Sequence, residues 1–388
     1  MKKIGVVTGT RAEYGLLKPV MEKMIKDNSI ELFLIVSGMH LSPEFGLTYR
    51  DIEKDGFSID AKNEMLLSSD TPNSIAKSMG IGIMGYSEIF ANTKLDMLIL
   101  LGDRFEIFAA ASAATVHRIP IAHIHGGETT EGAIDEAFRH SITKMSNLHF
   151  TTTERHYRRV VQMGEAPERV FNVGALGVEN IKKMTLMTKA ELEKDINVSL
   201  DGINAMVTYH PVTLEENTAE RQFKNLLSAL SEKKNMKIVF TKANSDTDGR
   251  IINLMIDDYV SKNKNNCVAF TSLGQLRYLS TLQFCDVVIG NSSSGIIEVP
   301  SFGKPTVNIG ERQLGREQSE SVINCSYEEK DISKAIDIAL EFSKKNIKIK
   351  NPYEGENTSD RILLEIKNYL NGNNNIKKSF YDFKGDIK

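Results

Sequence analysis

Short apolar runs, each closed by a polar loop and followed by a helical pattern, recur along the whole chain. Ile4–Val7, Leu32–Val36, Leu95–Leu101, Ile119–Ile124, Leu148–Thr152 and Arg169–Val173 read as strands. Helical patterns run on from the first loop to Met24, over Thr48–Lys54, from Pro72 onward, through the alanine-rich Ala109–Ala114 and over Glu154–Met163. After the small connection Gly174–Gly177 the rhythm restarts. Ala205–Tyr209, Lys237–Thr241, Val268–Thr271, Val287–Ile289 and Thr306–Ile309 read as strands. Glu220–Ser231, Gly249–Val260, Leu276–Phe284, Asp331–Phe342 and Asp360–Leu370 read as helices. Strict strand–helix alternation predicts doubly wound parallel sheets. The restart predicts two Rossmann-like halves with a ligand cleft between them. The tail, Asn371–Lys388, is polar and lysine-rich, and its terminus is expected to fray.

Bulk properties narrow the function. The chain has 388 residues and a net charge of −3, so no general attraction to nucleic acid or an anionic membrane is expected. Its three cysteines are odd in number and widely spaced, which fits a reducing cytoplasm better than a disulfide framework. No apolar stretch approaches the roughly 20 residues that span a bilayer.

In open parallel sheets, ligands bind beyond the carboxyl ends of the strands. The loops at those ends carry the chemistry. Arg11 follows the first strand, beside Gly9 and a helix start, where a guanidinium and exposed amides suit a phosphate. Gly290-Asn291-Ser292-Ser293-Ser294-Gly295 follows a later strand and opens a helix, which suits a diphosphate. Glu298 is expected within that same helix, placed to accept ribose hydroxyls. His210 ends a strand, and Arg312 and Arg316 follow the next one in the second half; each alone is a weak signal.

The stretch Leu101–His140 is the richest. Asp103, His125, Glu128, Glu131, Asp135 and His140 are expected on one rim. His123 and His125 share a face if the strand runs through both. That pair leaves two readings open, a metal site completed by Asp103 or Asp135, or groups that move protons. Acids at helix starts also answer the helix dipole, a reading that fits Glu131 better than Asp103.

Taken together, the motifs resemble a known family. They are TGTRAEYG (Thr8–Gly15), SGMHLSPEFGLTY (Ser37–Tyr49), LGDRFE (Leu101–Glu106), HIHGGETTEGAIDEAFRHSITKMS (His123–Ser146), YHPVT (Tyr209–Thr213), GNSSSGIIEVP (Gly290–Pro300) and IGERQLGR (Ile309–Arg316). The combination resembles the hydrolysing UDP-N-acetylglucosamine 2-epimerases of sialic-acid-type sugar biosynthesis. The family also includes members acting on the UDP-2,4-diacetamido-2,4,6-trideoxy sugar of legionaminic acid synthesis.

The resemblance implies an α/β GT-B fold with an N-terminal domain over residues 1–174, completed by a C-terminal helix at about 360–388. A UDP-binding domain would cover 178–358. It implies no metal, no cofactor, a cytoplasmic homodimer or homotetramer, and UDP-sugar as the partner. Arg11, His210, Asn244, Ser292, Ser293, Glu298 and Arg312 would bind the UDP-sugar. Asn244 sits in a KANSD loop that lacks the proline of the family's pattern. Asp103 and Asp135 would be catalytic. His125 stands where many members have a catalytic glutamate and a bacterial branch has histidine. The expected reaction converts UDP-N-acetylglucosamine and water to UDP and N-acetylmannosamine, with the diacetamido analogue as the alternative. A non-hydrolysing epimerase, a GT-B glycosyltransferase and a non-catalytic nucleotide-sugar-binding module are the further alternatives.

Overall fold

Alternation along the first strands splits the N-terminal half into two cores. β1 (Lys2–Thr8) and β2 (Ile30–Ser37) send Ile4, Val6, Leu34 and Val36 to one face and Val7 and Ile35 to the other. Both faces are covered by helices, so the central strands are apolar throughout, as in Met97–Leu101 (MLILL), where all five residues are buried.

The computed structural model describes residues 1–131, 133–212, 218–243, 249–345, 347–372 and 376–382. Further strands of the first sheet are β3 (Ala61–Asn63), β4 (Met97–Leu101), β5 (Ile121–Ile124), β6 (Leu148–Thr151) and β7 (Val170–Asn172), in the order β3-β2-β1-β4-β5-β6-β7. The second sheet holds β8 (Ile203–Thr208), β9 (Met236–Thr241), β10 (Cys267–Phe270), β11 (Val287–Gly290), β12 (Thr306–Ile309) and β13 (Val322–Cys325), in the order β10-β9-β8-β11-β12-β13. Every pairing in both sheets is parallel. These are two Rossmann-like domains. In each, the first strand lies between the second and the fourth, which makes the β1/β4 and β8/β11 junctions the topological switch points.

The alanine-rich helix Phe105–Val116 buries Ala109, Ala110, Ala111, Ala113 and Ala114, letting it lie close between sheet and neighbouring helix. At the second switch point Gly290 has φ 139°, and a Cβ there would stand 1.9 Å from the Thr208 carbonyl oxygen. Only glycine lets β11 approach β8 this closely.

The chain passes between domains twice at one place. The Ala175 amide donates to the Tyr353 carbonyl (3.0 Å), and the Thr358 hydroxyl donates to the Val173 carbonyl (2.8 Å). Helix Thr358–Asn371 then returns to the first domain, where Ile362, Leu363, Ile366 and Leu370 join the core around Ile4, Leu17 and Met24. The terminus expected to fray lies outside the described residues, and residues 376–382 of the tail are held against the first domain. Lys378 bonds the buried Glu165 (2.8 Å) and the Ser146 carbonyl (2.7 Å), and the Tyr381 amide donates to the Gly164 carbonyl (2.9 Å).

Ile366 is fully buried beneath that returning helix. Ile366→Ala should lower stability by about 2–5 kcal/mol, read by urea unfolding followed by far-UV circular dichroism. A loss below about 1 kcal/mol would show that the C-terminal helix does not share the first core.

Candidate active site

The two switch points face each other across a cavity of about 380 Å³. Arg11, Asp103, His125, Asp135, His210, Ser292, Ser293, Glu298 and Arg312 all line it. Asn244 lies outside the described residues. Loops from both domains therefore bring nine of the residues named from sequence into one space.

On the first-domain side, Thr10 caps helix Arg11–Lys26. Glu13 answers in a capping box, accepting the Gly9 and Thr10 amides at 2.7 and 3.2 Å. This fixes the turn from which Arg11 reaches into the cleft and pairs with Asp51. Asp103 leaves the end of β4 and pairs with Arg139. Arg139 is 2% exposed, and it also donates to Glu136 (2.9 Å), the Glu128 carbonyl (3.0 Å) and the Thr130 hydroxyl (2.6 Å). Burial, with repulsion from Arg316 and Arg312, pulls its pKa down. A guanidinium remains the last side chain to surrender its proton. It is a fixed cation around which three segments of the rim are tied.

The two histidines do not act as a pair on one strand face. β5 stops at Ile124, and His125 turns into the left-handed region at φ 68° because the Gly126-Gly127 turn begins there. His123 stays in the strand. Its Nε2 meets the Gly102 carbonyl oxygen (2.7 Å) and its Nδ1 meets the Thr143 hydroxyl (3.2 Å), so both ring nitrogens are engaged by protein partners. Burial pushes His123 down to about 3. His125 is also pulled below its ordinary value by burial, against the Glu128 carboxylate, which raises it. Its neutral ring lines the cavity, and among the described residues its Nε2 has no partner.

The expected rim is corrected at two positions. Neither Glu131 nor His140 lines the cavity. The Glu131 carboxylate packs beside Gly315 of the second domain, and His140 bonds Glu136 at 3.0 Å, one helical turn back along its own helix.

On the second-domain side, the buried Asn291 knits three loops together. It accepts the His210 amide (2.7 Å) and donates to the His210 carbonyl (2.8 Å), while its own carbonyl accepts from Arg312 (3.1 Å) and Gln313 (2.8 Å). Ser292 caps the next helix, which covers only Ser293–Ile297. Glu298 is the C-cap of that helix and does not lie inside it, since Pro300 ends the α-pattern and a 3-10 turn Val299–Phe302 follows. So short a helix carries little dipole, and the hydroxyls and amides themselves make this an anion cradle. Tyr278 donates to Ser294 (2.5 Å), and Ser294 donates to Glu298. Burial raises the Glu298 pKa against the Ser294 bond, which lowers it. A Cβ at Gly177 would lie 2.6 Å from the Glu298 carboxylate, so glycine there leaves that carboxylate its place.

Arg139 and Tyr278 escape sequence reasoning, and Arg316 is undervalued by it. Arg139 stands four residues after Asp135 on one helix face, the spacing that could have exposed it. Arg316 crosses the cleft to Glu128 (2.5 Å) and approaches Thr130 (3.4 Å).

Residues 22–367 match the family model described as UDP-N-acetylglucosamine 2-epimerase. The chain is 42% identical to the Campylobacter jejuni protein named GDP/UDP-N,N'-diacetylbacillosamine 2-epimerase (hydrolyzing), covering 85% of this chain and 86% of that one. It is 39% identical to the Escherichia coli polysialic acid biosynthesis protein P7, covering 98% of each. To the UDP-N,N'-diacetylbacillosamine 2-epimerase (hydrolyzing) of Legionella pneumophila it is 37% identical, covering 95% and 96%. Among solved structures, the Neisseria meningitidis UDP-GlcNAc 2-epimerase bound to UDP-GlcNAc aligns with a TM-score of 0.76 at 21% identity, over 95% of this chain and 100% of that one. The Methanocaldococcus jannaschii UDP-GlcNAc 2-epimerase with UDP-GlcNAc and UDP aligns with a TM-score of 0.78 at 19% identity, over 94% and 99%. The structural matches give the GT-B fold, and with the sequence matches they place this chain in the UDP-N-acetylglucosamine 2-epimerase family.

Proposed function

We propose that the protein is a hydrolysing UDP-sugar 2-epimerase, converting a UDP-2-acetamido sugar and water to UDP and the free C2-epimer. The observation that carries this reading is one cavity holding an anion cradle on one wall and a neutral, buried imidazole beside carboxylates on the other. Arg11, His210, Arg312, Ser292 and Ser293 hold the diphosphate, and Glu298 holds the ribose. Donors fixed before the reaction stabilise the charge that develops on the leaving diphosphate.

His125 Nε2 takes the proton from C2. The C–H electrons form the C1–C2 double bond, and the C1–O electrons leave with UDP. A carboxylate on the Asp103 and Asp135 side then relays a proton from water to the opposite face of C2, and the hydroxide of that water adds at C1. The balance is one UDP-sugar and one water giving UDP and one epimerised sugar. An imidazole held neutral is a competent base near neutral pH.

The sugar we favour is the 2,4-diacetamido-2,4,6-trideoxy one. The first-domain wall includes Leu16, Met39 and Phe45, an apolar surface suited to a C6 methyl and an acetamido methyl. Two of the relatives above carry that sugar in their names. UDP-N-acetylglucosamine is the second reading, favoured by the full-length match to the polysialic acid protein.

Incubation with each UDP-sugar, followed by NMR, should show UDP and free 2-epimer rising together, faster for the diacetamido sugar. A UDP-linked epimer as the product would overturn the hydrolytic reading, and equal or reversed rates would overturn the choice of sugar. Asp103→Asn should lower kcat by about 100-fold or more with UDP affinity within about twofold, checked by calorimetry. Near-normal turnover would remove Asp103 from the chemistry.

A further inference from the structure

The groups behind His125 form a chain that the steps above leave unused. Glu128, three residues on and buried, presents Oε1 to His125 Nδ1 at 3.6 Å. That distance is ion-pair range and longer than a hydrogen bond. The same oxygen accepts from the Thr152 hydroxyl (3.1 Å), which also meets His156 Nδ1 (2.8 Å). The other oxygen, Oε2, accepts from Arg316 Nη1 at 2.5 Å. Arg316 is buried too, yet it belongs to the other domain, 188 residues along the chain. A carboxylate at ion-pair distance from the base is thus neutralised by a cation that, among the described residues, the facing domain supplies.

Three further features give this arrangement direction. His125 Nδ1 faces Glu128, and Nε2 is buried with no partner among the described residues, so the carboxylate favours the tautomer that carries hydrogen on Nδ1 and a lone pair on Nε2. Burial would raise the Glu128 carboxyl, but Arg316, then His125 and His156, outweigh it and hold it at about 2, so it is a carboxylate throughout the working range. Towards His125 the two charges act in opposite senses: Glu128 favours the imidazolium and Arg316 opposes it. The groups facing His125 are Glu128 from its own loop, Arg316 from the loop after β12 and His123 on β5; Asp103, Asp135 and Arg139 share the cavity.

We propose that Glu128 is a positioning residue for His125 and that Arg316 makes its influence depend on closure of the cleft. With the domains apart, the unpaired carboxylate holds a proton on His125. When the domains close, Arg316 pairs with Glu128, the proton passes to water, and the imidazole becomes a base with Nε2 toward the substrate. The enzyme is thereby armed only when the UDP-binding domain has come down on the sugar. This rests on His125 being the base, as the preceding section has it.

The test compares wild type, Glu128→Gln, Arg316→Gln and the double variant in the full-length protein. Two quantities are read. One is the titration midpoint of His125 by 13C and 15N NMR, its signal assigned by its loss in His125→Gln. The other is the acidic limb of kcat/KM against pH. Glu128→Gln should lower the His125 midpoint by about one pH unit, and Arg316→Gln should raise it by about one. The double variant leaves neither buried charge unpaired, and its midpoint should fall between those of the two single variants. Midpoints that stay put or move in the same direction would overturn the proposal, as would a double variant no different from Arg316→Gln. If either single variant fails to fold, the double variant decides: loss of the Nδ1–H tautomer there, with the fold intact, is the expected result, and a retained tautomer overturns it. Opposite midpoint shifts that the kcat/KM limb does not follow would leave the electrostatic link standing and remove His125 as the base.

Discussion

A guanidinium cannot be buried unless oxygen surrounds it, and the first-domain rim of the cleft is built around that requirement at Arg139. Its partners come from the end of β4 (Asp103), from the loop after β5 (the Glu128 carbonyl and the Thr130 hydroxyl) and from its own helix (Glu136). Removing it would leave those acceptors, the buried Thr130 hydroxyl among them, without their shared donor, a change that typically costs more than the pair contributes when intact. The position of Asp103, the shape of the loop behind His125 and the start of helix Asp135–Met145 are therefore one problem with one solution. Arg316 repeats the device across the domain boundary, where Glu128 receives it.

The sequence made the sheets legible because their core strands are apolar on both faces and end in glycine-bearing polar loops. It made most of the site legible because ligand chemistry in such folds collects at those strand ends, and residues as far apart as Arg11 and Arg312 converge there. The short edge strands β3 and β13 were harder. Ala61–Asn63 has three residues, and Val322–Cys325 is only partly covered, so neither carries a readable period. The placement of Glu298 missed for a related reason: the run after the serines reads as helix, but Pro300 stops it within two turns.

The histidine pair shows what local pattern cannot supply. Spacing of two put His123 and His125 on one face only while the strand was assumed to continue. The glycine turn ends it one residue early, and the two rings part, one to the Gly102 carbonyl and one to Glu128. Arg139 was invisible for the opposite reason. Its defining partner, Asp103, is 36 residues away, and nothing in the intervening sequence announces the meeting. Long-range charge pairing is a property of the folded chain, and it is where the distinctive chemistry of this cleft lies.

Division of labour follows from the architecture. One domain lines the cleft with hydroxyls, amides and cations, the other with a histidine and carboxylates, and Arg316 joins them. In the proposed reaction the chemistry passes through C2 of the sugar. The most direct measurement is the reaction in D2O with NMR of the released sugar. The expected result is one deuterium at C2 of the epimerised product, released together with an equal amount of UDP. A product that keeps protium at C2 would contradict it.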